Sequence, residues 1–416
     1  MRVSDPFEET EIGRRKALIY TACALVLVVA YTLAFPRQVA IVAVILAFFA
    51  IIMMHEYGHY LMARRADMKV TEFFVGFGPR LWSKQRGETE FGVKALPLGG
   101  YCKIIGMNSI EEVDPADEDR TYRAKNWHQK VLMAFGGPAT HFILAIVLMF
   151  VVLLAAGDRN AAYQTTTLES IGLGAEAAGL QAGDRVVSVA GTPVQEWSQV
   201  TELVRGTADA PRRAGESVTF VVQRGDQTVS YDVVLREDDA GDGTKVVRAG
   251  IASKVVVPRV GPVEAAVKAP AEVADLVVVS VKGLGEMFSP SGISNYLRIL
   301  SGDQSENTDP DKRFVSVVGF GQLSAQAVDQ GWVTVLLLLI SINVFVGLIN
   351  LVPLVPFDGG HIAVATYEAV MSKVRRRRVQ VDMNKLVPVT VAVLAVFAFI
   401  FVTSLFLDIT NPIKIG

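Results

Sequence analysis

The sequence predicts a polytopic α-helical membrane protein with a membrane-associated β-hairpin and an inserted β-rich domain outside the membrane. The composition is 51% hydrophobic and only 20% charged over 416 residues. Five apolar stretches are long enough to cross a bilayer, since a membrane helix needs about 20 mostly apolar residues. Between the third and fourth stretches, alternating apolar residues and turn signals indicate short strands.

These patterns divide the chain into eleven predicted segments. The predicted segments are, in order, a cytosolic tail (1–16), an extra transmembrane helix (17–35), a transmembrane helix with two histidines (36–66), a membrane-associated β-hairpin (67–108), a cytosolic linker (109–130), a transmembrane helix (131–156), a β-rich domain (162–256), an extracytoplasmic amphipathic segment (262–330), a transmembrane helix (332–357), a cytosolic basic segment (361–385) and a final transmembrane helix (386–408).

Basic residues set the predicted orientation. With five spans, four basic clusters fall on one side of the membrane, at residues 14–16, 64–69, 120–130 and 373–378. That side is expected to be the cytosol of a cell with this protein in its inner (plasma) membrane. The β-rich domain is then extracytoplasmic. The net charge of −2 shows no basic excess, which argues against a nucleic-acid partner.

The segment 70–106 mixes aromatic and β-branched residues with many glycines around the turn-like sequence KQRGET. This pattern predicts a hairpin. Its apolar character suggests contact with the bilayer, where non-helical backbone is tolerated only against protein or water. The β-rich domain contains IGLGAEAAGLQAGDRVVSVAGTPVQEW at 171–197, which resembles the PDZ domains of bacterial proteases.

A metal-binding motif lies at the end of the second apolar stretch. His55 and His59 are four residues apart, so a helix presents both on one face, with Glu56 beside them to accept a proton from water. Ionisable groups within a span cost at least ~2.5–3.5 kcal/mol each and are functional by default. The sequence therefore predicts a metal site with an adjacent general base.

The third metal ligand has two candidates. Catalytic zinc usually takes three protein ligands and a water. The segment FVGLINLVPLVPFDGGHI supplies both Asp358 and His361 after a proline-interrupted helix. Spacing alone does not separate the two.

Four motifs in order, HEYGH, GGPATH, the PDZ-like pattern and NLVPLVPFDGGH, closely resemble the bacterial site-2 protease family across about residues 39–410. These proteins are intramembrane zinc metalloproteases of regulated intramembrane proteolysis. The resemblance implies zinc ligation by His55, His59 and Asp358, and a base at Glu56. It also implies a supporting polar role for Asn350 near the scissile carbonyl.

The sequence departs from the family pattern at two places. The helix 17–35 is an addition, and His141 stands where the family motif G-P-x-x-N has Asn. We expect His141 to be a neutral hydrogen bonder between helices, with zinc ligation as the alternative. His361 is then expected near the site without ligating zinc.

The resemblance implies cleavage within or near the transmembrane segment of single-pass membrane proteins that another protease has already trimmed, with anti-sigma factors as the expected class. The PDZ-like domain would either exclude untrimmed substrates or bind a chain end. From the residues alone, a membrane scaffold and a metal transporter are rivals. Neither needs the acid between the histidines, and a transporter usually shows paired repeats, which this sequence lacks.

Overall fold

The computed structural model describes residues 34–107, 111–207, 210–239, 245–302 and 313–410. They form two compact units, one made of Met1–Val152 and Ala266–Gly416 and the other of Leu153–Ala265. The predicted extra helix 17–35 falls, except for its last two residues, outside the described part of the chain.

Ten α-helices are found in the described residues. They are α1 (Pro36–Arg65), α2 (Trp127–Ala156), α3 (Leu173–Ala178), α4 (Trp197–Arg205), α5 (Pro262–Met287), α6 (Pro290–Ser301), α7 (Val317–Gln330), α8 (Trp332–Asn350), α9 (Asp358–Arg375) and α10 (Val387–Thr410). Within this part of the chain, four helices are long and apolar enough to cross a membrane, namely α1, α2, α8 and the segment Met383–Thr410 that contains α10.

The predicted span 332–357 is too long. Helix α8 ends at Asn350, and the chain turns through residues 351–357 before α9 begins at Asp358. Pro353 and Pro356 in this turn lack a backbone N–H and cannot continue the helix. The aspartate is therefore in the first turn of a separate helix, and the predicted basic segment 361–385 also begins inside α9.

Helices α1 and α2 approach each other closely through glycine. A Cβ atom on Gly58 would overlap the carbonyl oxygen of Gly136, and one on Gly136 would lie 2.7 Å from the carbonyl oxygen of Gly58. Small residues allow such backbone contact between membrane helices. The contact holds the HEYGH turn of α1 against the start of the GGPATH segment of α2.

Strands β1 (Val70–Arg86) and β2 (Thr89–Ile104) form an antiparallel hairpin with its tip at 87–88 and several register shifts. The base of the hairpin packs with α1, where Tyr60, Met68 and Ile104 share a buried cluster. Toward the middle and tip, large apolar side chains are exposed, namely Phe77, Leu81, Trp82, Val93 and Leu96. Such a patch is typical of a surface that contacts lipid or protein.

The remaining strands belong to the second unit. They are β3 (Tyr163–Ile171), β4 (Arg185–Val189), β5 (Thr192–Pro193), β6 (Gly206–Thr207), β7 (Ala210–Pro211), β8 (Ser217–Arg224), β9 (Gln227–Val234), β10 (Arg236–Asp239), β11 (Lys245–Arg248) and β12 (Ile251–Val256). A six-stranded antiparallel sheet has the order β12-β3-β4-β8-β9, with β5 beside β4. Buried residues of β4 and β8, such as Val186, Val189 and Phe220, form its core with Val200 of α4.

A buried carboxylate ties the loop before β4 to the end of β8. The side chain of Asp184 is 1% exposed and accepts hydrogen bonds from Nε and Nη2 of Arg224, both at 2.7 Å. It also accepts one from the backbone N–H of Gln181 at 2.8 Å. The Arg224 guanidinium lowers the pKa of Asp184.

We expect Asp184→Asn to destabilise the second unit at pH 7 by about 1–3 kcal/mol, because the Arg224 guanidinium loses its charged, buried acceptor. The folded-state pKa of Asp184 lies below its unfolded value of about 3.9, so its contribution is fully present above that pH and is lost as the pH falls through the folded pKa. Calorimetry of the full chain in detergent from pH 7 to pH 3 measures both effects. Asp226→Asn, in an exposed turn, is the control. An equal loss in both variants would contradict the prediction.

Candidate active site

Two histidines of α1 lie side by side, buried in the first unit. His55 and His59 are each 8% exposed, and their Nε2 atoms are 3.1 Å apart. One helical turn separates them, which directs both rings to the same side of α1. Little of either ring is open to solvent, so contacts with neighbouring residues fix their positions.

The carboxylate of Asp358 completes the group from the first turn of α9. Its Oδ2 lies 3.2 Å from Nε2 of His55, and its Oδ1 lies 3.2 Å from Nε2 of His59. Among the described residues, these three form the only group of His, Cys, Asp or Glu side chains close enough to hold a metal ion, with ligand atoms within 4.8 Å of one another. His361, the other candidate that spacing left open, is not part of this group.

The three side chains fit a tetrahedral metal ion. Zinc–nitrogen and zinc–oxygen distances of about 2.0–2.1 Å place neighbouring ligand atoms roughly 3.3 Å apart in a tetrahedron. The two Nε2 atoms are 3.1 Å apart, and each lies 3.2 Å from a different oxygen of the Asp358 carboxylate, so all three separations are close to this value. In addition, Nδ1 of His59 lies 2.9 Å from the carbonyl oxygen of Met133, which can only accept, so this nitrogen carries the proton and Nε2 presents a lone pair. Three protein ligands leave a fourth position for water or substrate.

A cavity of about 270 Å³ adjoins this group. Its lining includes Glu56 and Asn350, and His361 lies on the same wall. Cys102 on β2 also lines the cavity, with its backbone next to the Glu56 carboxylate. The cavity therefore brings the three ligands, an acid and an amide together from α1, α8 and α9, with β2 beside them.

His141 lies behind the metal group and does not line the cavity. Its side chain is 1% exposed, and its ring centroid is 5.0 Å from that of His55. Nδ1 of His141 lies 3.1 Å from Oδ1 of Asn343 on α8. His141 is outside the group of potential metal ligands in the described structure.

Three contacts of the site are not evident from sequence motifs. They involve the Cys102 backbone, the Met133 carbonyl and the amide of Asn343. The first two are backbone groups, which no residue type identifies. Asn343 could have been recognised from the sequence, because a buried polar residue within an apolar helix needs a partner.

The sequence model of peptidase family M50 matches residues 43–395. This range includes every residue of the metal group and of its cavity. The chain belongs to peptidase family M50. This membership confirms the resemblance to the site-2 proteases that the motifs indicated.

Curated relatives extend over nearly the whole chain. Zinc metalloprotease Rip1 of Mycolicibacterium smegmatis is 35% identical over 413 residues, covering 91% of this chain and 98% of that protein. Zinc metalloprotease Rip1 of Mycobacterium tuberculosis is 36% identical over 410 residues, covering 90% and 98%. Among solved structures, the PDZ domain of an SdrC-like protein from Listeria monocytogenes covers 22% of this chain and 85% of its own, at 20% identity and a TM-score of 0.17. The predicted metalloprotease class is confirmed, and the chain is an integral membrane protein.

Gly137 of α2 contacts the metal group directly. A Cβ atom there would come within 2.7 Å of Cε1 and 2.8 Å of Nε2 of His55, and closer still to Nε2 of His59. Only glycine leaves room for both rings at this position. The second glycine of GGPATH is therefore required by the two histidine rings and not by the geometry of α2 itself.

We expect Gly137→Ala to weaken metal binding, because the added methyl group must displace the His55 or His59 ring. Overpacking of this kind costs about 1–3 kcal/mol, which is roughly 5- to 150-fold in affinity. Zinc titration of the purified, detergent-solubilised protein measures it. Gly321→Ala on α7, where a Cβ meets no atom within 4 Å, is the matched control. Wild-type zinc affinity in Gly137→Ala would refute the steric argument.

Proposed function

We propose that this chain is a multi-pass zinc endopeptidase of the inner membrane that hydrolyses peptide bonds within or near the transmembrane segment of pre-trimmed single-pass membrane proteins. The observation that carries the proposal is the group of His55, His59 and Asp358 beside Glu56 in a chain of family M50. The two histidines and Glu56 lie on α1, a helix of membrane-spanning length. A site at such a position serves a substrate that is itself in the membrane.

Zinc is the metal we assign. The donor set of two imidazoles and one carboxylate with an open position is typical of catalytic zinc, and the curated relatives are named zinc metalloproteases. When bound, zinc would polarise the scissile carbonyl and make water a nucleophile at neutral pH.

Glu56 is the proposed general base. It accepts the proton of the attacking water and returns it to the leaving amine, a role that needs a carboxylate in reach of the reacting atoms. The Cys102 backbone lies next to the carboxylate on the side of β2. Asn350, at the end of α8 and in the cavity wall, would donate its amide hydrogen to the carbonyl oxygen as negative charge develops.

The hairpin is the proposed substrate guide. A substrate helix hides its amides in internal hydrogen bonds and must unwind before it is cut. The exposed Phe77, Leu81 and Trp82 support a membrane-associated position for β1 and β2. A strand edge there can pair with the unwound segment, and β2 leads to Cys102 beside Glu56.

Anti-sigma factors are the proposed substrate class, on the strength of family membership. We place the basic clusters and the metal site toward the cytosol, and the unit Leu153–Ala265 outside it. This unit has a groove of about 670 Å³ between β12 and α4, lined by Ile171, Trp197 and Val200. The groove supports recognition of a chain end, whereas exclusion of untrimmed substrates needs only the bulk of the unit.

The Glu56→Gln variant tests the base. We expect zinc to stay bound at wild-type stoichiometry and cleavage to fall by at least about 10²-fold, since the amide cannot accept the proton. Metal analysis and a cleavage assay on purified protein measure the two quantities. Comparative membrane proteomics of wild-type and variant cells should then show a stabilised single-pass fragment, which identifies the substrate. Undiminished cleavage with bound zinc would remove Glu56 from this role.

The assignment of the third ligand is tested by a pair of variants. Asp358→Ala should lose both zinc and activity, because two ligands remain. His361→Ala should retain most of its zinc, because that ring packs against Tyr122 with centroids 6.2 Å apart and lies outside the metal group. Metal content of both purified variants gives the answer. The reverse ranking would make His361 the ligand in place of Asp358.

A further inference from the structure

His141 is held in one orientation by a neighbour on another helix. Asn343 donates from Nδ2 to the carbonyl oxygen of Leu339 at 2.8 Å, which fixes which end of its amide faces His141. The end that faces His141 is Oδ1, 3.1 Å from Nδ1 of the imidazole. A carbonyl oxygen can only accept, so Nδ1 of His141 carries the proton.

The tautomer of His141 follows. With the proton on Nδ1, a neutral imidazole presents a lone pair at Nε2. This Nε2 atom is buried and has no hydrogen-bond partner among the described residues. A buried acceptor without a donor is costly, so such an atom calls for an explanation.

His55 has the complementary atom, a buried donor without an acceptor in the described structure. Its Nε2 faces the metal position, where it must offer a lone pair, and so its Nδ1 must carry a proton. That Nδ1 is also buried and unpartnered within the described part of the chain. The two rings are neighbours, with centroids 5.0 Å apart and planes at 41°.

We propose that one buried water links the two rings, accepting from the Nδ1–H of His55 and donating to Nε2 of His141, and that the chain Asn343–His141–His55 orients this metal ligand. The inference rests on the proposed function, since it needs a metal at Nε2 of His55. His141 would orient the His55 ring as the Met133 carbonyl orients the His59 ring. Ligating histidines are held by such outer partners, and loss of one typically costs 10–100-fold in metal affinity.

The assignment accounts for histidine at position 141. An asparagine there could still bond Asn343, because its amide ends near the place of imidazole Nδ1. It would be too short to reach the water beside His55. His141 does not line the cavity, so it acts through His55 and is a positioning residue.

Two variants of His141 separate this role from packing and from ligation. Glutamine places its Oε1 near the position of Nε2 and keeps the acceptor for the linking water, whereas asparagine keeps only the bond to Asn343. We expect His141→Asn to transfer zinc to a chromophoric chelator 10–100 times faster than wild type. His141→Gln should stay within about threefold of wild type. His128→Asn, an exposed histidine at the start of α2, is the control for the substitution.

The measurement uses purified full-length protein in detergent and needs no substrate. A second readout is the visible spectrum of the cobalt-substituted protein, which should shift in His141→Asn and be restored in His141→Gln. Equal and large zinc loss in both variants would make His141 a ligand or a packing residue, and wild-type zinc release in both would also overturn the proposal. Failure of the proposed function would look different: wild-type zinc binding without proteolysis, or full activity in Glu56→Gln.

Discussion

The structure depends on keeping two imidazoles, a carboxylate and their polar partners buried inside an assembly of membrane-spanning helices. A polar group that is buried there without a partner costs free energy, and a charged one costs more. The first unit meets this constraint by backbone contact. Gly58 and Gly136 let α1 and α2 touch, and the Met133 carbonyl then lies within reach of His59. The hydrogen bond between His59 and the Met133 carbonyl thus depends on glycine packing.

The aspartate enters by a different route. If α8 continued past Asn350, residue 358 would be carried along the helix axis away from the histidines. The turn at residues 351–357 returns the chain, and the first turn of α9 presents the Asp358 carboxylate. Gly359 and Gly360 allow this return, since a Cβ on either would overlap backbone atoms of residues 351–355. A helix N-terminus also favours a negative charge by about 0.3–1 kcal/mol.

Much of the site could be predicted from sequence because its chemistry is carried by unusual residues in an apolar chain. His55, Glu56 and His59 stand out at the end of a span, and helical periodicity is enough to place them on one face. The approximate positions of the spans are also visible as apolar stretches. What could not be predicted is non-local. Spacing does not separate Asp358 from His361, since the answer depends on how a seven-residue turn folds back.

Other features were missed for a similar reason. The end of α8 was placed too late because residues 351–357 are as apolar as a span, and hydropathy does not register the missing N–H groups of Pro353 and Pro356. The groups beside Glu56 and His59 are backbone atoms, whose positions follow from packing alone. His141 was expected as a hydrogen bonder between helices, and its contact with Asn343 is of that kind.

The wide separation of the ligands along the chain has a consequence for biosynthesis. His55 and His59 leave the ribosome early, whereas Asp358 follows after the β-rich unit and α8 have been made. A nascent or truncated chain therefore carries both imidazoles without the Asp358 carboxylate, and two ligands do not make a catalytic zinc site. A metalloprotease whose proposed ligands are ordered in this way is thus inert while its own helices are being inserted, and becomes competent only when nearly the entire polypeptide is in place.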